Sequence, residues 1–138
     1  MIDHGHGPWL LLDTHIWLWS LSAPDRLASK VRKRLEEKTS EVWLSPISVW
    51  ELLVLAERGR VRLDAEPRAW VAEALERAPL EEAVLNHEVA RRSREVSLPH
   101  QDPADRLLAA TALTYELTLV TADATLIDAK PCPILANR

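Results

Sequence analysis

Four acidic residues in this chain stand where a carboxylate can do chemistry. Asp13 ends the apolar run Trp9-Leu10-Leu11-Leu12, and Asp123 lies just beyond Thr118-Leu119-Val120-Thr121. Glu51 shares a helical stripe with Ile47 and Leu55, and Asp105 falls in the first turn of a helix opened by Asp102-Pro103. Singly, each has a plain structural explanation. Asp13 and Asp123 suit helix N-caps, Asp105 is favoured by the helix dipole, and Glu51 can pair with a nearby Arg. Jointly they suit something else. In a parallel sheet the strand C-termini and the N-termini of the following helices share one edge, where ligands gather. Carboxylates drawn from all four places can converge there, and they would repel one another unless a cation intervened. An all-oxygen set without Cys or organised His selects a hard ion, Mg²⁺ or Mn²⁺. The chemistry such a centre serves is metal-assisted hydrolysis of a phosphodiester.

The elements that must position these acids follow from periodicity and punctuation. Trp9 to Leu12 reads as a strand buried on both faces, followed by a short helix over 14–21 that Ala23-Pro24 breaks. Leu27, Val31 and Leu35 recur every four residues, so 24–38 reads as an amphipathic helix. Glu41-Val42-Trp43-Leu44 is a second strand. Ser45-Pro46 then opens a helix whose inner stripe is Ile47, Trp50, Val54 and Leu55, ending at Gly59. A short extended piece is expected at Val61–Leu63. A further helix is expected over 67–77, with Trp70, Val71, Ala74 and Leu75 inward and Pro79 ending it. Ala83-Val84-Leu85 reads as a third strand, and Asn86 caps a helix through Arg94. Thr118–Thr121 and Pro133-Ile134-Leu135 supply the last two strands. Strands alternating with helices predict an α/β fold: a single-domain α/β/α sandwich with a mostly parallel central sheet.

Composition excludes several classes. With three glycines, no G-x-G-x-x-G and no G-K-[ST], a dinucleotide or nucleoside triphosphate enzyme is not expected. No apolar run approaches the roughly 20 residues of a membrane span. Cys132 is the only cysteine, which fits a reducing cytoplasm. At 138 residues the length suits one domain, expected over 9–138 behind a flexible lead-in at 1–8. The net charge of −4 forbids a general attraction to nucleic acid. Basic residues are nonetheless clustered at Arg26, Lys30, Arg32, Lys33, Arg34 and Lys38, at Arg58, Arg60 and Arg62, and at Arg91, Arg92 and Arg94. Six tryptophans beside one Tyr and no Phe are consistent with an aromatic-rich interface as well as with a core.

The segments Leu11-Leu12-Asp13-Thr14-His15, Ser48-Val49-Trp50-Glu51-Leu52, Asp102-Pro103-Ala104-Asp105-Arg106-Leu107-Leu108 and Leu119-Val120-Thr121-Ala122-Asp123 resemble the acidic motifs of PIN-domain ribonucleases. They are most similar to the VapC-type toxins of toxin–antitoxin pairs. The resemblance runs from Leu10 to Leu135 with the motifs in the family's order. It implies a PIN-like fold and a metal site built from Asp13, Glu51, Asp105 and Asp123. It also implies RNA as substrate, Thr14 and Thr121 as small polar residues flanking the site, a homodimer, and a small antitoxin that plugs the site. Asp102 is left open, because the matching acid of its motif is Asp105. Two rival readings remain. A phosphatase of haloacid-dehalogenase type also places Asp after its first strand, but wants a second Asp at position 15, where His15 stands. The other rival is a non-catalytic PIN-like interaction domain.

Overall fold

Side chains alternate across a strand, so Leu10 and Leu12 of β1 (Trp9–Leu12) enter one core while Leu11 enters the other. That alternation defines a three-layer molecule. The computed structural model describes residues 9–78 and 80–138; the lead-in expected at 1–8 and the break expected at Pro79 lie outside the described residues. β1 pairs with β2 (Glu41–Leu44) on one side and β4 (Thr118–Thr121) on the other; β3 (Glu81–Glu82) and β5 (Ile134–Ala136) form the edges. Every pairing is parallel, in the order β3-β2-β1-β4-β5.

One core joins Leu10, Leu12 and Val120 to Ile16 and Trp17 of α1 (Thr14–Ser22), Val31 of α2 (Ser29–Glu36), Leu52 of α3 (Pro46–Glu57) and Trp70 of α4 (Pro67–Arg77). The other joins Leu11, Leu117 and Leu119 to Val89 of α5 (His87–Arg92), Leu108 and Ala109 of α6 (Pro103–Tyr115) and Leu126 of α7 (Ala124–Ala129). Each fully buried Leu contributes about 1.5–3 kcal/mol of transfer free energy. The alanines of α6 let that helix lie close on the sheet.

Helix starts follow the side chains that satisfy free N–H groups. Ser45, Asn86, Asp13, Asp102 and Asp123 all cap as expected, with Pro46 and Pro103 at the first helical position. Gly59 adopts φ +69° just past α3, as its predicted stopping role requires. Four expectations are revised. The helix expected over 24–38 is split: Pro24–Arg26 form a 3₁₀ turn, Leu27 is extended and buried, and α2 begins only at Ser29. Trp50 and Leu75 point outward, 54% and 42% exposed, because the buried side of α3 is Ser48 and Leu52 and that of α4 is Trp70, Val71 and Ala74. No strand forms at Val61–Leu63, although both side chains pack on the core. The third strand is Glu81–Glu82 rather than 83–85; Ala83 adds one bond to the Leu44 carbonyl, while Val84 and Leu85 are exposed. Among the described residues no helix is long and apolar enough to cross a membrane.

Candidate active site

The strand order reverses between β1 and β4, because β2 and β3 extend from β1 in one direction and β5 from β4 in the other. A crevice at the carboxyl ends of strands flanking such a switch point is the default ligand site of an open α/β sheet. A cleft of about 320 Å³ opens there, lined by Asp13, Thr14, Glu51, Asp102, Asp105 and Asp123, with His15, Trp19, Leu108 and Ala122 completing the wall. The four predicted acids therefore share one cleft, as do Thr14 and Asp102. Thr121 lies behind it, fully buried.

Capping and site-building turn out to be one arrangement. Asp13 follows β1, and its Oδ1 accepts from the Ile16 N–H at 3.0 Å as the cap of α1. Its Oδ2 accepts from the Thr121 hydroxyl, so both carboxylate oxygens are held. Thr121 also accepts from the Asp123 N–H at 3.0 Å, linking the two strand-end acids through one hydroxyl. Asp123 Oδ1 caps α7 through the Leu126 N–H at 3.0 Å. Asp102 Oδ1 accepts from the N–H groups of Ala104 at 2.9 Å and Asp105 at 3.2 Å. Asp105 caps nothing. Its carboxylate is free to face the cleft from the first turn of α6, with Oδ2 3.4 Å from His100 Nε2. Glu51 arrives from α3, which packs against both α1 and α6, and Oε1 accepts from the Thr14 hydroxyl.

The electrostatics record the crowding. Burial pushes the Asp13 carboxyl above its usual range, with Glu51 adding a smaller push, against the hydrogen bonds from Thr121 and Ile16 and the His15 charge. Asp105 is pushed up to about 7, first by burial, then by the charges of Asp102, Asp123, Glu51 and Asp13. Those last four are the remaining acids of the cleft, so Asp105 sits at the focus of their field. Among the described residues no three His, Cys, Asp or Glu side chains stand close enough to grip one ion as they are set. Asp13 and Glu51 are each tied to a threonine, while Asp102 and Asp123 are exposed and Asp105 is half-buried. By donor chemistry the set fits a hard divalent cation: all ligands are oxygen, and the repulsion felt at Asp105 is what a cation would relieve.

His100, His15 and Trp19 stand at the site although their sequence positions gave them no such role. His15 and Trp19 are four residues apart on α1 and so share a helix face, a signal hidden inside an otherwise apolar run. Nothing local points to His100, which is brought to Asp105 by the segment between α5 and α6.

The sequence model of the PIN domain matches residues 10–130. Ribonuclease VapC22 of Mycobacterium tuberculosis is 33% identical over 117 residues, which is 83% of this chain and 86% of that protein. Among solved structures, DNA-bound VapBC from Salmonella typhimurium superposes with a TM-score of 0.68 at 19% identity, covering 100% of both chains. VapBC2 from Rickettsia felis, bound to a promoter DNA fragment, gives 0.68 at 18% identity over 93% of this chain and 98% of that one. FitAcB from Neisseria gonorrhoeae gives 0.63 at 22% identity over 93% and 97%.

Proposed function

The chain belongs to the PIN-domain family, and from that premise we propose that residues 9–138 act as one nuclease domain: a Mg²⁺- or Mn²⁺-dependent ribonuclease, the toxin of a toxin–antitoxin pair. The observation that carries the reading is the convergence of Asp13, Glu51, Asp105 and Asp123 on one cleft at the switch point of the sheet. These four would hold the metal. When bound, a divalent cation supplies the Lewis acidity and charge neutralisation that phosphodiester hydrolysis needs. The chain's own groups do the rest. Thr121 and the Ile16 N–H fix Asp13, so its position survives loss of the cation. Thr14 orients Glu51, and Asp102 holds the first turn of α6 so that Asp105 faces the cleft. The positive ends of α1, α6 and α7 also point at this edge, which offsets part of the carboxylate repulsion and favours an anionic phosphate.

The phosphatase reading is disfavoured by His15, which occupies the position where that chemistry wants a second Asp and is exposed. The non-catalytic reading is disfavoured by the presence of all four acids in one cleft. Cleavage of single-stranded RNA by the purified chain should need added Mg²⁺ or Mn²⁺ and fall to background in excess EDTA. Undiminished cleavage in chelator would sink the metal-dependent mechanism. In the same assay, the product of a short neighbouring reading frame should quench cleavage if it is the antitoxin.

The proposal includes a homodimer. Trp50 and Leu75, expected inside, instead face outward, and Leu75 borders an apolar groove with Leu44, Val49 and Leu80. Exposed large aromatic and aliphatic side chains are what an interface core uses. Sedimentation should give a dimer at micromolar concentration, and Trp50→Lys should shift it toward monomer. A wild-type monomer would reject the dimer without touching the nuclease assignment.

A further inference from the structure

Trp19 is out of keeping with its surroundings. Its neighbour Trp17 is buried against the edge of Trp70, with ring centroids 5.7 Å apart, and so behaves as core. Trp19 packs against the same core yet is only part-buried, and it forms wall of the carboxylate-lined cleft. The exposed Arg26 guanidinium lies over its ring, 4.2 Å from the centroid, and the exposed His15 ring is 5.6 Å away at a 49° tilt.

The backbone of the turn that carries Arg26 is held from a distance. Asn137, just past β5, donates from Nδ2 to the Arg26 carbonyl at 3.1 Å and accepts at Oδ1 from the Ala28 N–H at 2.6 Å. Its own N–H bonds the Thr121 carbonyl at 2.8 Å, at the C-terminal end of β4. One asparagine thus ties the turn that carries Arg26 to the strand end that carries the site.

We infer that Trp19 and Arg26 form a stacking platform for a nucleobase of the RNA, adjacent to the carboxylates that would act on its phosphate. The inference rests on the ribonuclease reading and names a part of its substrate site. An acidic cleft repels a polyanion, so the strand must be gripped by something other than general charge. An indole offers a sequence-tolerant stacking face, and a guanidinium plane can stack on a base while attracting phosphate. Placed on the cleft wall, the pair would set the register of the strand against Asp13 and Asp105.

The test uses the full chain, Mn²⁺ and a short single-stranded RNA that it cleaves, with abasic nucleotides substituted one at a time on each side of the cut. Stacking contributes about 1–3 kcal/mol per base, so one abasic position should slow wild-type single-turnover cleavage at subsaturating enzyme by roughly tenfold. Trp19→Leu should slow cleavage of intact RNA by a similar factor and lose sensitivity to that abasic position. Trp19→Phe should retain most of the rate. Arg26→Gln, at an exposed position, should raise KM several-fold and leave kcat nearly unchanged. Wild-type rates in Trp19→Leu, or an abasic penalty that persists in it, would overturn the platform while leaving the ribonuclease reading intact. So would variants that cleave normally but lose affinity for an antitoxin protein, since the pair would then serve a protein ligand. No cleavage of any RNA by the wild-type chain would overturn both.

Discussion

Asp105→Asn should abolish RNA cleavage and, in the absence of metal, make the protein more stable near neutral pH. Loss of one ligand from a metal centre removes several kcal/mol of transition-state stabilisation, so a fall of about a thousandfold is expected. Stability moves the other way because the native cleft disfavours the charge of this carboxyl, which burial and four neighbouring acids hold at about 7 against an ordinary 3.8. Below the ordinary value the carboxyl is neutral in both folded and unfolded chains, and Asp and Asn are equivalent. As pH rises, the unfolded chain ionises first and is favoured, so the fold loses stability until pH passes about 7. The difference in melting temperature between Asp105→Asn and wild type should therefore start near zero at pH 4, grow to about pH 7, and stay level above it. A gain of a few degrees is the expected size, of order 1 kcal/mol at this chain length. The helix dipole works against this gain by about 0.3–1 kcal/mol, since an acid in a first turn is otherwise welcome.

Asp13 makes the comparison. Asn at that position keeps an oxygen for the Ile16 N–H and sheds a charge that burial disfavours, so Asp13→Asn should lose activity while metal-free stability holds or rises, whereas Asp13→Ala should also lose about 1 kcal/mol of capping. Should Asp105→Asn melt lower than wild type at pH 7, or the difference ignore pH, Asp105 would be an ordinary first-turn acid.

The convergence of Asp13 and Asp123 on one cleft was legible in the sequence because the positions that cap helices also lie on one edge of the sheet. A residue that ends a strand and caps the next helix lies of necessity on the ligand-binding edge, and the caps at 13, 102 and 123 are written in local sequence. Periodicity failed where small polar residues occupy the buried phase. Ser48 is fully buried on the inward side of α3, behind the equally buried cap Ser45, so counting apolar positions turned the helix by the wrong angle and placed Trp50 inside. The strand assigned to 83–85 was misplaced because an edge strand has a single partner. Only Ala83 is buried there, and the ladder is set by backbone register against Trp43 and Leu44. Contacts between residues far apart in sequence, such as Asn137 with Arg26, have no local signature.

Arg106 is the clearest of these and gives the second large effect. In the sequence it is one polar letter in the run Arg106-Leu107-Leu108-Ala109-Ala110, with no local sign of its partners. In the structure it is 5% exposed. Its Nε donates to the Ser93 carbonyl at 2.9 Å, Nη2 to Val96 at 3.0 Å and Nη1 to His100 at 3.2 Å. Ser93 is the last residue of the α5 turn, and the three carbonyls span the whole connection from α5 to α6, including the His100 that meets Asp105. One planar fork therefore satisfies three carbonyls, two of them in buried bonds. Arg106→Met keeps much of the apolar stem but strands those groups, each at about 1–3 kcal/mol. A loss of about 3–5 kcal/mol is expected, enough to lower the melting temperature by roughly 10–20 °C. Arg106→Lys should recover little, because an ammonium on a single point cannot reach three carbonyls in fixed directions. Amide exchange in 93–101 should quicken before the rest of the molecule opens, since the connection has lost its clamp while the sheet has not. A melting temperature within a few degrees of wild type for Arg106→Met would show that water replaces the guanidinium at these carbonyls, and that the connection holds its shape by packing alone.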